Sequence, residues 1–437
     1  MGEKVYGLLG RKLGHSWSVP IHQSLGCEDY RLIELELEEL GPFLAREDIG
    51  GLNVTIPYKR DVMPFCDVID EGAQAIGSVN TLVRKVDGKL YGYNTDIDGF
   101  LYMLRRANIS LREKKVVVLG SGGASLTVRA AAEREGAREI VVISRSGPDN
   151  YDNLDRHADA EVIVNTTPVG MWPNLDGQPV DLERFPGAEA VADIIYNPNR
   201  TGLLLQAEKI DSKDRLLAGE GLRPEDRALH GVHPIRYTGG LPMLVHQAKR
   251  AEELFFGKPI PDCQTELILA RLWQDRTNIV LVGMPGCGKT TVGRELARLA
   301  GKPFVDLDGE IVRRAGRSIP EIFRDGGEES FRDLEAQVLA DVCAKDGQVI
   351  ATGGGAVLRT ENRAAMRRTG RVYWLRRDLN VLPKDGRPLS LKGSLKEMYQ
   401  QRKPLYNTAA DAVIDNSVAL EQTAQLIWRD FCANNGD

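Results

Sequence analysis

The stretch 279-IVLVGMPGCGKTTVG-293 sets a run of apolar β-formers directly ahead of a glycine-rich loop that ends in Lys289 and Thr290. Gly283, Gly288, Lys289 and Thr290 satisfy G-x-x-x-x-G-K-[ST]. In that pattern backbone N–H groups turn inward around phosphate oxygens, the lysine reaches the β- and γ-phosphates, and the hydroxyl ligates Mg²⁺. The helix-forming run after the loop, KTTVGRELARLA, presents its N-terminus to the anion. Gly283, Gly286, Cys287, Gly288, Lys289, Thr290 and Thr291 are therefore the expected nucleotide contacts. Yet the loop begins nearly two-thirds of the way along a 437-residue chain, so a large front section needs its own account.

That length suits two to four domains, each with a buried core. A chain 42% hydrophobic and 27% charged is an ordinary globular protein. Net charge of −5 without a polybasic block argues against nucleic-acid and membrane-surface partners and leaves small molecules. The start, MGEKVYGLLG, lacks the basic-then-apolar layout of a signal peptide, and Tyr6 breaks the myristoylation pattern. No apolar run approaches the ~18 residues of a membrane span. The six cysteines (27, 66, 263, 287, 343 and 432) are scattered and form no CxxC pair, which predicts reduced thiols and a cytoplasmic location.

Strand-like runs alternate with helical stretches along the whole chain, predicting parallel sheets with crossover helices. In the front section they are VYGLLG, YRLIEL, LNVTI, KVVVLG, EIVVIS, EVIVN and AVADII. From 278 the alternation restarts with NIVLVG, KPFVDL, QVIATGG, RVYWLR and DAVID. Asp87-Gly88, between two short β-prone runs, predicts a hairpin. At the junction, Leu267, Leu269, Ala270, Leu272 and Trp273 predict a short amphipathic helix.

Behind the phosphate loop, FVDLDGE holds Asp306 and Asp308 at the end of the next strand, where alternation would point both carboxylates at the cradle. ATGGGAV (351–357) ends another strand in three glycines, a place where backbone must approach something closely. FRDLE and QQRKPLY supply Arg332 and Arg402, suited to a bidentate grip on a carboxylate. DGRPLS puts Arg387 in a loop that can reach a transferring phosphoryl group. The ordered series GMPGCGKTTVG, DLD, IFRDGGEESFRDLE, TGGG, RPL and RKPLY resembles shikimate kinase over essentially all of 278–420. The resemblance implies that Asp308, Arg332, Gly353, Gly354, Gly355 and Arg402 bind shikimate. It further implies that Asp308 takes or orients the proton of the attacking hydroxyl, that Lys289 and Arg387 act on the phosphoryl group, and that Thr290 and Asp306 hold Mg²⁺. Ser390 departs from the family's usual RPLL, and the lid, 378–392, is short.

The front section carries KKVVVLGSGGASLTVRAAAERE, a strand, a glycine-rich turn and a helix. Gly120 and Gly122 meet the first two positions of G-x-G-x-x-G/A, and Ser125 stands at the third. Gly120, Ser121, Gly122, Gly123 and Ala124 are the expected dinucleotide contacts. The next strand ends in Ser144-Arg145-Ser146 where an NAD enzyme needs an acid for the ribose hydroxyl, so a 2′-phosphate, and hence NADP, is expected. GLLGRKLGHSWSVPIH, GLNVTIPYKRDVMPFCD, GSVNTLV, GYNTDIDGF, NTTPVGM and GGLPMLVHQA stand in the order of shikimate dehydrogenase, and the resemblance covers about 1–275. It implies that Ser16 and Ser18 contact the substrate carboxylate, that Thr55, Asn80, Asp96 and Gln247 bond the ring hydroxyls, and that Lys59 and Asp96 are the catalytic pair. Tyr196 joins the substrate set, Gly240 the cofactor set, and His15 a structural role. Val19 stands where relatives carry proline, and the segment after SRSGPDN is too short for the usual full helix.

The expected architecture is an α/β shikimate dehydrogenase-like unit joined to a P-loop, nucleoside-monophosphate-kinase-like α/β domain. Residues 1–100, completed by 241–275, would form the catalytic domain, 101–240 a Rossmann NADP-binding domain, and 276–437 the kinase. The implied function is bifunctional: NADPH-dependent reduction of 3-dehydroshikimate to shikimate, then phosphorylation of shikimate with ATP and Mg²⁺. Three rivals are weighed against it. The front could be an NAD-linked quinate/shikimate dehydrogenase, which Arg145 opposes, or a catalytically inactive regulator, which the intact Lys59 and Asp96 oppose. A nucleic-acid ATPase is opposed by the net acidity.

Overall fold

The computed structural model describes residues 4–14, 16–219, 234–382 and 395–434. His15, Arg387, Ser390 and most of the expected lid lie outside them. The chain divides into two compact units, Met1–Tyr196 with Gln206–Leu269, and Asn197–Leu205 with Ala270–Asp437.

The first unit contains two sheets. Strands β1 (Val5–Gly10), β2 (Arg31–Glu34), β3 (Ile49–Val54), β4 (Val68–Ile69), β5 (Thr81–Arg84) and β6 (Leu90–Tyr93) form a mixed sheet ordered β2-β1-β3-β5-β6-β4. Its β1–β3 and β1–β2 pairs are parallel, while β3–β5 and β5–β6 are antiparallel. The expected hairpin joins β5 to β6: Gly88 takes a φ of 80°, and Asp87 Oδ1 accepts from the Lys89 N–H at 3.0 Å. Gly88 suits that left-handed turn because it has no Cβ.

β7 (Lys115–Leu119), β8 (Glu139–Ile143), β9 (Val162–Asn165), β10 (Ala190–Asp193) and β11 (Arg236–Thr238) form a wholly parallel sheet ordered β11-β10-β9-β7-β8. Val116 to Leu119 are fully buried, as a parallel strand covered on both faces requires. Between β8 and β9 there is one 3₁₀ turn, Leu154–His157, and no full helix, as the short segment predicts. The helix Leu241–Phe256 then returns to pack on Asp96–Arg106. Gly99 permits that approach, since a Cβ there would lie 2.5 Å from the Met243 carbonyl oxygen.

In the second unit β12 (Asn278–Val282), β13 (Phe304–Asp306), β14 (Val349–Ala351), β15 (Gly370–Arg376) and β16 (Ala412–Asp415) make a parallel sheet ordered β13-β14-β12-β15-β16. The phosphate loop therefore leaves the central strand. The junction helix forms as Asp262–Arg276, with Leu269, Leu272 and Trp273 buried. Leu267 is an exception to the expected apolar face: it is 70% exposed, one residue out of phase with the buried stripe.

Candidate active sites

In the second unit the loop after β12 opens onto a cavity of about 540 Å³. Gly286, Gly288, Lys289, Thr290, Thr291, Asp306, Asp308, Arg332, Gly353, Gly354, Gly355 and Arg402 all line it. Cys287 does not present its side chain there: it is 1% exposed, and its carbonyl accepts from Asn416 Nδ2 at 2.6 Å. Gly283 is also set back from the cavity, with φ 147°, and a Cβ there would come within 2.6 Å of the Leu375 carbonyl oxygen. Lys289 Nζ donates to the Gly283 and Met284 carbonyls at 2.8 and 3.0 Å, which anchors the ammonium at the loop.

Asp306 and Asp308 both reach the cavity, but not by strand alternation. β13 ends at Asp306, which caps the helix Leu307–Ala315 by accepting from the Gly309 N–H, and Asp308 lies in that helix's first turn. A helical turn, rather than the pleat, brings the second carboxylate round. Thr290 Oγ1 bonds Asp306 Oδ2 at 2.9 Å. A hydroxyl and a carboxylate are hard oxygen donors that suit Mg²⁺, which takes its remaining ligands from phosphates and water.

The three glycines are needed by close packing on two sides. A Cβ on Gly354 would meet the Pro285 ring at 2.6 Å, and one on Gly353 would meet Asp308 Oδ1 at 2.9 Å. The Gly354 carbonyl accepts from Arg402 Nη1 at 3.0 Å and from the Tyr406 hydroxyl at 2.7 Å. Arg332 is 5% exposed and donates from Nη1 to Glu335 Oε2 at 2.7 Å. Glu335 also lines the cavity, and sequence reasoning missed it. Its signal was the i, i+3 spacing of Arg and Glu within FRDLE, which puts both on one helix face. Burial pushes the Glu335 carboxyl above its ordinary value, opposed by the charge of Arg332.

In the first unit Lys59 Nζ bonds Asp96 Oδ2 at 2.6 Å, with the side chains 26% and 14% exposed. Lys59 follows β3, and Asp96 opens the helix Asp96–Arg106. Asn80 is placed beside them, its Oδ1 accepting from the Thr95 N–H at 2.7 Å. Ser16 and Ser18 bond through their hydroxyls at 3.0 Å. Between them Trp17 packs on Tyr196, ring centroids 5.1 Å apart, and burial raises the Tyr196 hydroxyl above its usual range. Thr55 continues β3 and bonds the Leu9 carbonyl through its N–H at 2.9 Å. Gln247 sits on the returning helix, its Nε2 bonded to the Leu244 carbonyl at 2.9 Å. Gly240, at the start of that helix, lies so close to Ile194 that no side chain fits.

The dinucleotide loop leaves β7 beside the end of β8, with Leu119 in register with Ile143. Gly120 has a φ of 103°, and a Cβ there would lie 2.9 Å from the Thr167 side chain. Gly122 and Gly123 border open space, as a close-approaching pyrophosphate requires. Ser121, Arg145 and Ser146 are exposed, Ala124 and Ser144 partly so. Arg145 makes no salt bridge among the described residues.

Residues 285–431 match the family described as Shikimate kinase, and residues 8–82 match the Shikimate dehydrogenase substrate binding domain. The chain is 35% identical over 269 residues to a shikimate dehydrogenase (NADP(+)) of Clostridium beijerinckii, covering 57% of this chain and 91% of that one. It is 39% identical over 232 residues to the Geobacillus kaustophilus protein of the same name, covering 47% and 84%. A solved chorismate mutase/shikimate 5-dehydrogenase fusion protein from Clostridium acetobutylicum is 34% identical, with a TM-score of 0.54 over 62% of this chain and 98% of that one. Shikimate 5-dehydrogenase from Thermus thermophilus, solved in complex with NADP(H) and shikimate, is 30% identical, with a TM-score of 0.50 over 60% and 97%. The chain belongs to the shikimate dehydrogenase family through its first unit and carries a shikimate kinase domain in its second, which makes it a bifunctional enzyme of the shikimate pathway.

Proposed function

We propose that the first unit reduces 3-dehydroshikimate to shikimate with NADPH, and that the second phosphorylates the 3-hydroxyl so created with ATP and Mg²⁺. NADPH, when bound, supplies a hydride, and ATP with Mg²⁺ supplies an activated phosphoryl group. The protein supplies the proton handling. As hydride adds to the carbonyl carbon, the Lys59 ammonium gives its proton to the oxygen, and Asp96 holds that ammonium on target. Ser16 and Ser18 take the substrate carboxylate, with Tyr196 beside them, while Thr55, Asn80 and Gln247 fix the ring hydroxyls. In the kinase, Arg332 and Arg402 grip the carboxylate of shikimate. Asp308 would accept the proton that the 3-hydroxyl loses as its oxygen bonds to the γ-phosphorus and the bond to ADP breaks, and Lys289 would neutralise the charge that builds on the transferring group and on departing ADP. Thr290 and Asp306 would hold Mg²⁺.

The reading is carried by one observation: Lys59 rests on Asp96 at 2.6 Å beside Asn80, a pair that a merely regulatory front unit would not need. Arg145 supports NADP over NAD, since an exposed cation at the end of β8 suits a 2′-phosphate. Three domains fit the three sheets, 1–100 with 241–275, 101–240 and 276–437. Six free cysteines fit a reducing cytoplasm. The test is one reaction containing 3-dehydroshikimate, NADPH, ATP and Mg²⁺, read by mass spectrometry. A product heavier by two hydrogens and one phosphoryl group is expected; a gain of two hydrogens alone would identify an inactive kinase, and unchanged 3-dehydroshikimate an inactive dehydrogenase.

A further inference from the structure

The first unit buries an ionisable pair that the reduction does not use. His22, in the helix Ser18–Ser24, bonds through Nδ1 to Glu252 Oε1 in the helix Leu241–Phe256, and neither side chain is exposed at all. Tyr30 stacks on the His22 ring, centroids 3.8 Å apart and planes 3° from parallel. From there a line of buried hydrogen bonds crosses the mixed sheet. The Tyr30 hydroxyl donates to Asn53 Oδ1 at 2.8 Å, and Asn53 Nδ2 to Thr81 Oγ1 at 3.4 Å. Thr81 Oγ1 donates to Asn80 Oδ1 at 3.0 Å, and that same oxygen holds the Thr95 N–H, next to Asp96.

Apolar residues would fill this space at less cost in desolvation, because replacing a buried ion pair with well-packed hydrophobics is often neutral or stabilising. What apolar packing cannot supply is directional register between elements. The ends of the line are informative in that respect. His22 lies one helical turn beyond Ser18, Glu252 is five residues after Gln247 on the same helix, and the far end is Asn80 itself. We propose that His22, Glu252, Tyr30, Asn53 and Thr81 form a positioning array that sets Ser18, Gln247 and Asn80 at the spacing 3-dehydroshikimate requires. None of the five is a catalytic residue in this scheme. The proposal rests on assigning Ser18, Asn80 and Gln247 to the substrate.

Two variants test it. His22→Phe with Glu252→Leu removes both members of the pair together, so no buried charge is left unpaired. Tyr30→Phe removes one oxygen and keeps the ring stack. Each should raise KM for 3-dehydroshikimate, about tenfold for the double variant and severalfold for Tyr30→Phe, as expected for lost buried hydrogen bonds. In both, kcat and KM for NADPH should stay within about twofold, and kinase constants on the same chain should not move. Glu252→Gln, which keeps a hydrogen-bonding partner for His22, should restore most of the parental KM. A parental KM for 3-dehydroshikimate in either variant overturns the array, whatever happens to melting temperature, and so does a parallel collapse of all three dehydrogenase constants. If the double variant does not fold, Tyr30→Phe decides alone. Ser18→Ala and Asn80→Ala run alongside. Their indifference would refute the substrate assignment itself, whereas their response with a silent Tyr30→Phe refutes only the array.

Discussion

Gly355→Ala in the kinase half isolates one contact. Its backbone, with φ −100° and ψ −3°, is open to alanine, so the substitution adds a methyl group without backbone strain. The new Cβ would sit 2.5 Å from Arg332 Nη1 and 2.7 Å from its Cζ. A carbon needs about 3.5 Å, so the guanidinium must retreat by about 1 Å. Arg332 cannot swing freely, being 5% exposed and tied to Glu335 at 2.7 Å. If this guanidinium grips the carboxylate of shikimate, a charge-assisted hydrogen bond worth ~1.5–3 kcal/mol is weakened or lost. KM for shikimate should then rise between about 10- and 100-fold. A coupled assay of ADP release, with shikimate and ATP varied in turn, gives both constants, and KM for ATP should stay near parental because the phosphate loop is untouched. A parental KM for ATP on the same protein also reports that the kinase unit is folded. A shikimate KM within twofold of parental would refute the role given to Arg332, and a rise confined to ATP would move the guanidinium to the nucleotide side.

Other expectations are equally direct. Lys289→Ala should lower phosphoryl transfer by orders of magnitude and let shikimate accumulate, while Lys59→Ala should stop reduction and leave added shikimate phosphorylated; loss of both activities from either change would refute independent sites. Arg145→Asp should shift the ratio of kcat/KM for NADPH over NADH by at least about tenfold, and an unmoved ratio removes Arg145 from cofactor choice. His246 is held neutral by burial, with its imidazole pushed down to about 4, while in the unfolded chain it protonates below about 6.5. The unfolded state therefore binds the extra proton across that window, and stability of the first unit should fall by up to about 3 kcal/mol as pH drops from 6.5 to 4. His246→Phe, which keeps an aromatic stack on Tyr102, should flatten that part of a melting-temperature profile; an unchanged slope would mean that His246 does not stay neutral.

What the sequence made legible was local. A strand, a glycine turn and Lys289-Thr290 lie within a dozen residues, so loop chemistry and fold context could be read together. The hairpin at Asp87-Gly88 and the missing helix before β9 were legible for the same reason, since turn chemistry and segment length are properties of short stretches. Asp308 faces the cavity that strand alternation points to, but through a helical turn, because β13 ends at Asp306 and the next helix begins there. Leu267 belongs to the apolar pattern of the junction helix, yet a shift of one position turns it outward. Glu335 does not stand out in the sequence, because an acid three residues after an arginine is common on any helix, and its burial is what distinguishes it. The contact of His22 with Glu252 spans 230 residues and carries no motif, so no local pattern could reveal it.

The late return of the helix Leu241–Phe256 has a consequence for how the chain is made. Its partner, Asp96–Arg106, leaves the ribosome about 140 residues earlier, carrying Asp98 and Tyr102, which pair with Arg250 and stack on His246 of the later helix. At ~5–20 residues per second, those side chains wait on the order of ten seconds for the segment that covers them. During that interval an unfinished sheet stands beside an uncovered helix face, a form open to aggregation and to chaperone capture. Gly99 sharpens the point, since its close fit to Met243 and Gln247 cannot begin until the helix arrives. A nascent chain stalled near residue 240 should thus be far more sensitive to protease within its first hundred residues than one released after residue 256, even though both already contain β1 to β6.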